Sequence, residues 1–125
     1  MLFDTDVLIW LFRGNSRARD ILDDDNFRRV SIVTYMELLQ GARNRQEVTN
    51  IKNFLLEFAV EVVPLSENIG FRASIYMEEY SISTSICLAD ALIAATAVEY
   101  GIDLCTGNLK HYRPIKDLTV RQFKH

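Results

Sequence analysis

Two cysteines are the only thiols this 125-residue chain carries, and they do not pair by motif. Cys87 and Cys105 form no C-x-x-C, which argues against a disulfide framework or a cysteine zinc site and assigns both to reduced, buried, structural positions. No apolar run approaches the ~18 residues of a membrane span, and no basic segment with a cleavage site precedes the first apolar stretch. The expectation is a soluble, cytoplasmic protein with no membrane partner. Basic charge is also scarce. A net charge of −3 is far from the pI above ~9 typical of generic nucleic-acid binders. Any nucleic-acid contact would therefore rest on local basic patches, although acids clustered to hold divalent cations would themselves lower the count. Of the two histidines, His111 falls in a loop, where a surface position is expected, and His125 is terminal. Repeats, low-complexity segments and linkers are missing too.

What is present is an ordinary globular composition, 49% apolar and 25% charged, long enough to bury a core without staples. One domain, residues 1–125, is expected. Its organising stretch is Met1-Leu2-Phe3-Asp4-Thr5-Asp6-Val7-Leu8. A minimal strand meets an acid, then Thr5 or Asp6 can cap a helix running on through Phe12. Asp4 thus falls at the carboxyl end of a strand, where open α/β sheets place their ligands.

Asn15 or Ser16 caps a short helix carrying Ala18, Ile21 and Leu22, and Asp23-Asp24-Asp25 after it reads as a solvated loop. A strand at 30–33 leads into a helix from Thr34 to about Ala42. A helix over 47–59 presents Val48, Ile51, Phe54, Leu55 and Phe58 at helical spacing. A strand at 60–63 ends at Pro64, and Ser66 caps a helix over 67–80. The segment 88–100 is the most helix-like and is closed by Gly101. Strands at 102–105 and 118–123 complete the chain, with one helical turn at 109–112 between them. Alternating strands and helices imply a three-layer α/β/α domain around a central, mostly parallel sheet of about five strands.

Three acids recur at comparable places. Glu37 follows Thr34 at capping-box spacing, so its carboxylate either reaches back to the Thr34 N–H or faces the same crevice as Asp4. Asp90 is the only charge between Leu88 and Val98, on a helix apolar all round and therefore buried. The helix dipole offers an acid in the first turn roughly 0.3–1 kcal/mol, several times less than an unpaired buried charge costs. A basic partner, a proton or a divalent cation must make up the difference. Thr106-Gly107-Asn108 follows a strand in the same way. Hard oxygen donors at several strand ends, with no His or Cys among them, suit Mg²⁺ or Mn²⁺.

Asp4-Thr5-Asp6-Val7-Leu8, Thr34-x-x-Glu37-Leu38, Asp90-Ala91-Leu92-Ile93-Ala94-Ala95-Thr96-Ala97 and Thr106-Gly107-Asn108 together resemble, in order and spacing, the pattern of PIN-domain ribonucleases. The short single-domain length resembles the VapC toxins of toxin–antitoxin pairs. The resemblance implies a metal-dependent endoribonuclease in which Asp4, Glu37 and Asp90 are catalytic and bind Mg²⁺, or Mn²⁺ in its place. Asn108 takes the fourth ligand position, and Thr106 and Asp6 support the site. It also implies an antitoxin whose tail covers the site and whose other half contacts DNA, and a homodimer. The chain departs from the pattern at Asp6, usually Asn, and at Gly107, often basic; Tyr112 stands near a common Phe. A metal held by carboxylates acidifies bound water and stabilises charge on a phosphodiester under in-line attack. Lys110, Arg113 and Arg13, with Arg17 and Arg19, are the local basic residues available to an RNA backbone.

Other readings make different demands. An aspartyl-phosphatase of the HAD type would use Asp4 as nucleophile, yet needs a catalytic Lys and a later acidic motif. A phospho-acceptor receiver domain needs an Asp ending the third strand, where Val63-Pro64-Leu65 stands. A non-catalytic α/β interaction module needs nothing, and leaves the acids unexplained. Trp10, Phe12, Tyr35, Met36, Phe54 and Phe58 are more aromatic and sulfur surface than one sheet face needs, and divide between core and a partner groove.

Overall fold

A computed structural model describes residues 1–125, the whole chain. Five strands, β1 (Leu2–Phe3), β2 (Arg29–Ser31), β3 (Glu61–Val63), β4 (Leu104–Thr106) and β5 (Val120–Gln122), form one sheet in the order β3-β2-β1-β4-β5. Every pairing is parallel, so the sheet is wholly rather than mostly parallel. The helices are α1 (Thr5–Phe12), α2 (Ser16–Asp23), α3 (Ile32–Gln40), α4 (Arg45–Glu57), α5 (Glu67–Tyr80), α6 (Leu88–Tyr100) and α7 (Leu109–Tyr112).

Period-two alternation in the short strands builds two cores. Leu2 and Leu104 enter the cluster of Ile69, Ala73, Ile93, Ala94 and Ala97 under α5 and α6. Phe3 and Cys105 enter the other, with Val7, Leu8, Leu11, Ile51 and Leu55 from α1 and α4. On α6, seven residues from Asp90 to Ala97 are buried, as the unbroken apolar pattern implies. Gly101 ends it in the left-handed conformation (φ 64°) that favours glycine there. No helix is long and apolar enough to cross a membrane.

Strand order makes β1 the switch point. Chain progression runs β1, β2, β3 to one side and β4, β5 to the other, so the carboxyl ends of β1 and β4 open onto a crevice. The register Phe3↔Cys105 makes Asp4 and Thr106 neighbours at that edge.

Several helix starts differ from expectation. Asp4 itself caps α1, its Oδ1 accepting the Thr5 N–H at 2.8 Å, in place of Thr5 or Asp6. The second strand stops at Ser31, whose hydroxyl accepts the Val33 N–H at 3.0 Å, so α3 begins before Thr34. Glu37 is then in the second turn, and the capping-box role is excluded. Asn44 starts the fourth helix slightly ahead of expectation, whereas Asn15 and Ser66 cap as foreseen. Nor is the Asp23-Asp24-Asp25 run wholly solvated, because Asp25 Oδ2 holds the Met1 ammonium at 2.6 Å.

Candidate active site at the strand ends

Asp4 is the floor of the crevice. Its carboxylate is only 6% exposed, with Oδ1 on the Thr5 amide and Oδ2 accepting the Thr106 hydroxyl at 2.8 Å. Thr106 Oγ1 in turn accepts the Asn108 N–H at 3.0 Å, which fixes the direction of its proton toward Asp4. Burial, and secondarily the charge of Asp6, push the Asp4 carboxyl up to about 6 against the pull of these donors.

Asp6 lies two residues further along, in the first turn of α1, and accepts the Gly107 N–H on Oδ2 at 2.9 Å. Its Oδ1 is buried with no partner, and burial raises its pKa above the ordinary carboxylate value. The contact also explains Gly107: a Cβ there would stand 2.9 Å from Asp6 Oδ2 and 3.2 Å from the Phe123 carbonyl.

Glu37 joins through Thr5. The Thr5 hydroxyl is 2.7 Å from Glu37 Oε1 and 3.0 Å from Thr34 Oγ1. With one proton available it serves the carboxylate, and Thr34 donates back. Thr5 therefore touches two acids, Asp4 with its backbone and Glu37 with its side chain.

Asp90 has more partners than the sequence suggested. Its Oδ2 accepts the Cys87 N–H at 3.2 Å and the Cys87 thiol at 3.1 Å, and lies 2.9 Å from His111 Nδ1. Its Oδ1 receives the Tyr112 hydroxyl at 3.3 Å. Cys87 is thus exposed at the head of α6 rather than buried, while Cys105 is buried as expected. His111 is drawn in against Asp90 with its side chain 29% exposed, in place of the surface position foreseen for it. Asn108 Nδ2 also approaches Nδ1 of that ring at 2.9 Å. One nitrogen cannot donate to the acid and accept from the amide, so a proton on Nδ1 requires the Asn108 amide to turn its oxygen toward the ring. Asn108 accordingly contacts the acids through His111 and the Thr106 hydroxyl.

Tyr112 is the residue the sequence hid. It reads as a packing aromatic, and its ring is indeed fully buried. Its hydroxyl, however, donates to Asp90 Oδ1 at 3.3 Å. Burial first, then the charges of the two aspartates, drive its pKa far above the ordinary phenol value, so it stays a neutral donor. His111, Thr5 and Cys87 were missed for the same reason: contacts made across the fold leave no spacing signal.

The basic candidates divide. Arg13 sits on the wall of a groove of about 550 Å³ shared with Glu37, Ile9, Phe12, Arg43 and Phe54, its guanidinium 5.4 Å from the Trp10 ring centroid. Lys110 and Arg113 are exposed on α7 and at its end, flanking Tyr112. Arg19, on α2, lies 5.7 Å from the Phe58 ring centroid. Of the aromatic surplus, Phe12 and Phe54 line the groove, Phe58 is core, Trp10 stacks on His125 at 3.9 Å, and Met36 is exposed.

No three His, Cys, Asp or Glu side chains are drawn together closely enough to enclose an ion by themselves. The donors nonetheless fit a hard divalent cation. All the ion pairs that Lys and Arg form lie elsewhere, leaving Asp4, Asp6, Glu37 and Asp90 without a basic partner other than His111. Buried carboxylates with unmatched negative charge, Asp4 and Asp90, are the chemistry such an ion satisfies.

A wholly parallel five-stranded sheet with acids at the carboxyl end of β1 and on α3 and α6 defines a class. The chain belongs to the PIN domain family, whose model matches residues 1–115. It is 38% identical over 124 residues to Ribonuclease VapC10 of Mycobacterium tuberculosis, covering 94% of this chain and 90% of that protein. A toxin–antitoxin complex from Klebsiella pneumoniae contains a chain 28% identical, with a TM-score of 0.78 and 98% of each chain covered. VapBC2 from Rickettsia felis, solved bound to a DNA fragment from its promoter, contains a chain of the same fold, with a TM-score of 0.84, 18% identity and 98% of each chain covered.

Proposed function

We propose that the chain is a metal-dependent endoribonuclease that hydrolyses RNA phosphodiester bonds, as the toxin of a VapC-type toxin–antitoxin pair. The observation that carries this reading is Asp4: a buried carboxylate at the switch point of a parallel sheet, with a sister acid on α6 and no arginine or lysine to balance it. The 38% identity to a named ribonuclease supports the substrate class.

Asp4, Asp90 and Glu37 would hold Mg²⁺, for which Mn²⁺ can substitute, with Asn108 beside them. Bound there, the cation lowers the pKa of water and stabilises charge at the phosphorus. The chain's own residues prepare the place. Thr106 and the Thr5 amide fix the two oxygens of Asp4, Thr5 aims Glu37, and Cys87 and His111 lock one oxygen of Asp90. Asp6 stays off the ion and pins the Gly107 turn. A nucleophilic role for Asp4 in phosphoester transfer is disfavoured, since no lysine pairs with it. Lys110, Arg113 and Arg13 would meet the RNA backbone.

The partner would be an antitoxin protein laid over the site, with DNA reached only through it, and the toxin itself a cytoplasmic homodimer. RNA incubated with and without Mg²⁺ or Mn²⁺, beside Asp4→Ala and Asp90→Ala, tests the activity. Cleavage that persists undiminished in both variants would sink the assignment. Light scattering tests the dimer, and a monodisperse monomer counts against it.

A further inference from the structure

Asp90 Oδ2 is saturated by Cys87 and His111, at 2.9–3.2 Å from three donor atoms. Only Oδ1 is left to face the crevice, and its sole contact is the long 3.3 Å bond from Tyr112. The Tyr112 ring is immobilised by complete burial beside Ile115 and Leu118. A single neutral donor fixes the direction of this oxygen and leaves it a lone pair for a cation. A phenylalanine would fill the same volume and supply no donor.

We propose that Tyr112 is a positioning residue for the metal site, its hydroxyl orienting the Asp90 oxygen that faces the crevice. This rests on the metal-dependent reading above. Outer-shell donors of this kind typically change metal affinity or activity roughly 10–100-fold when removed.

The test is calorimetric titration of MnCl₂ into the metal-free full chain, with steady-state RNA cleavage on the same preparations. Wild type, Tyr112→Phe and Ile115→Val are compared, the last perturbing packing in the same buried segment. Tyr112→Phe should melt cooperatively, bind Mn²⁺ about 10-fold or more weakly, and lose kcat with KM for RNA unchanged. Ile115→Val should keep wild-type Mn²⁺ affinity and kcat. If Tyr112→Phe matches wild type in both, the inference on Tyr112 is overturned while metal dependence stands. A wild-type chain that cleaves RNA yet binds no Mn²⁺ overturns both together. Loss of Mn²⁺ affinity in Ile115→Val equal to that in Tyr112→Phe would reduce Tyr112 to packing, and so also counts against it.

Discussion

The molecule carries two constellations of acids with a tyrosine among them, and they are balanced in opposite ways. Between α5, α6 and the loop before β5, Arg72 holds Glu99 at 2.8 Å and Asp117 at 3.0 Å, while Tyr76 donates to Asp117 at 3.2 Å. At the strand ends, Asp4, Glu37 and Asp90 meet threonines, a tyrosine, a thiol and an imidazole, and no guanidinium. The first cluster is half-exposed and closed by its own guanidinium. The second is more deeply buried and electrically open. Acids that a fold neutralises with its own arginines tie elements together. Acids buried without one are held for something that arrives from outside.

The difference can be broken most severely at the open cluster. Asp4→Asn or Asp90→Asn should lower RNA cleavage on the order of 1000-fold, the scale seen when an electrostatic element aimed at developing charge is removed. Single-turnover assays at saturating Mg²⁺ check it. Folding should not suffer, because the Thr106 hydroxyl can turn to accept from the new amide.

Metal-free stability should carry the signature of Asp4. The folded state holds that proton up to about pH 6, whereas an unfolded aspartate releases it near 3.8. Within that window the native chain binds more protons than the unfolded one, so stability falls as pH rises. The drop should be on the order of 3 kcal/mol and complete above pH 6. Urea denaturation of the wild type in chelator, beside Asp4→Asn in which this drop is abolished, measures it.

Gly107→Ala forces a Cβ against Asp6 Oδ2 and the Phe123 carbonyl. A cost of about 1–3 kcal/mol is expected, with reduced cleavage as the turn carrying Thr106 and Asn108 shifts. Opening the closed cluster should matter least. Arg72→Ala is expected to destabilise by about 1 kcal/mol, because the pairs are partly exposed, and to leave the cleavage rate at its wild-type value.

The sequence made part of this legible. The place of Asp4 at a strand end and of Asp90 on a buried helix was recoverable, because each follows or heads a regular element and a lone charge on an apolar helix is a physical anomaly. Sheet architecture followed from the alternation of elements, though the strands proved shorter than their apolar runs. Helix starts were misplaced at Asp4 and Ser31, where a residue that looked like the end of a strand is the cap. The site's supporting contacts were not legible. Thr5 with Glu37, and Cys87, His111 and Tyr112 with Asp90, depend on where distant elements land, and a buried tyrosine is indistinguishable by pattern from a packing aromatic.

Whether the open cluster awaits a cation is tested most directly by melting wild type and Asp4→Asn at pH 7.5, with chelator and with Mn²⁺. Wild type should melt higher with Mn²⁺. Asp4→Asn should melt at or above metal-free wild type and respond little to the ion. A wild-type melting temperature indifferent to Mn²⁺, or an Asp4→Asn variant that melts well below it in chelator, would contradict the central claim.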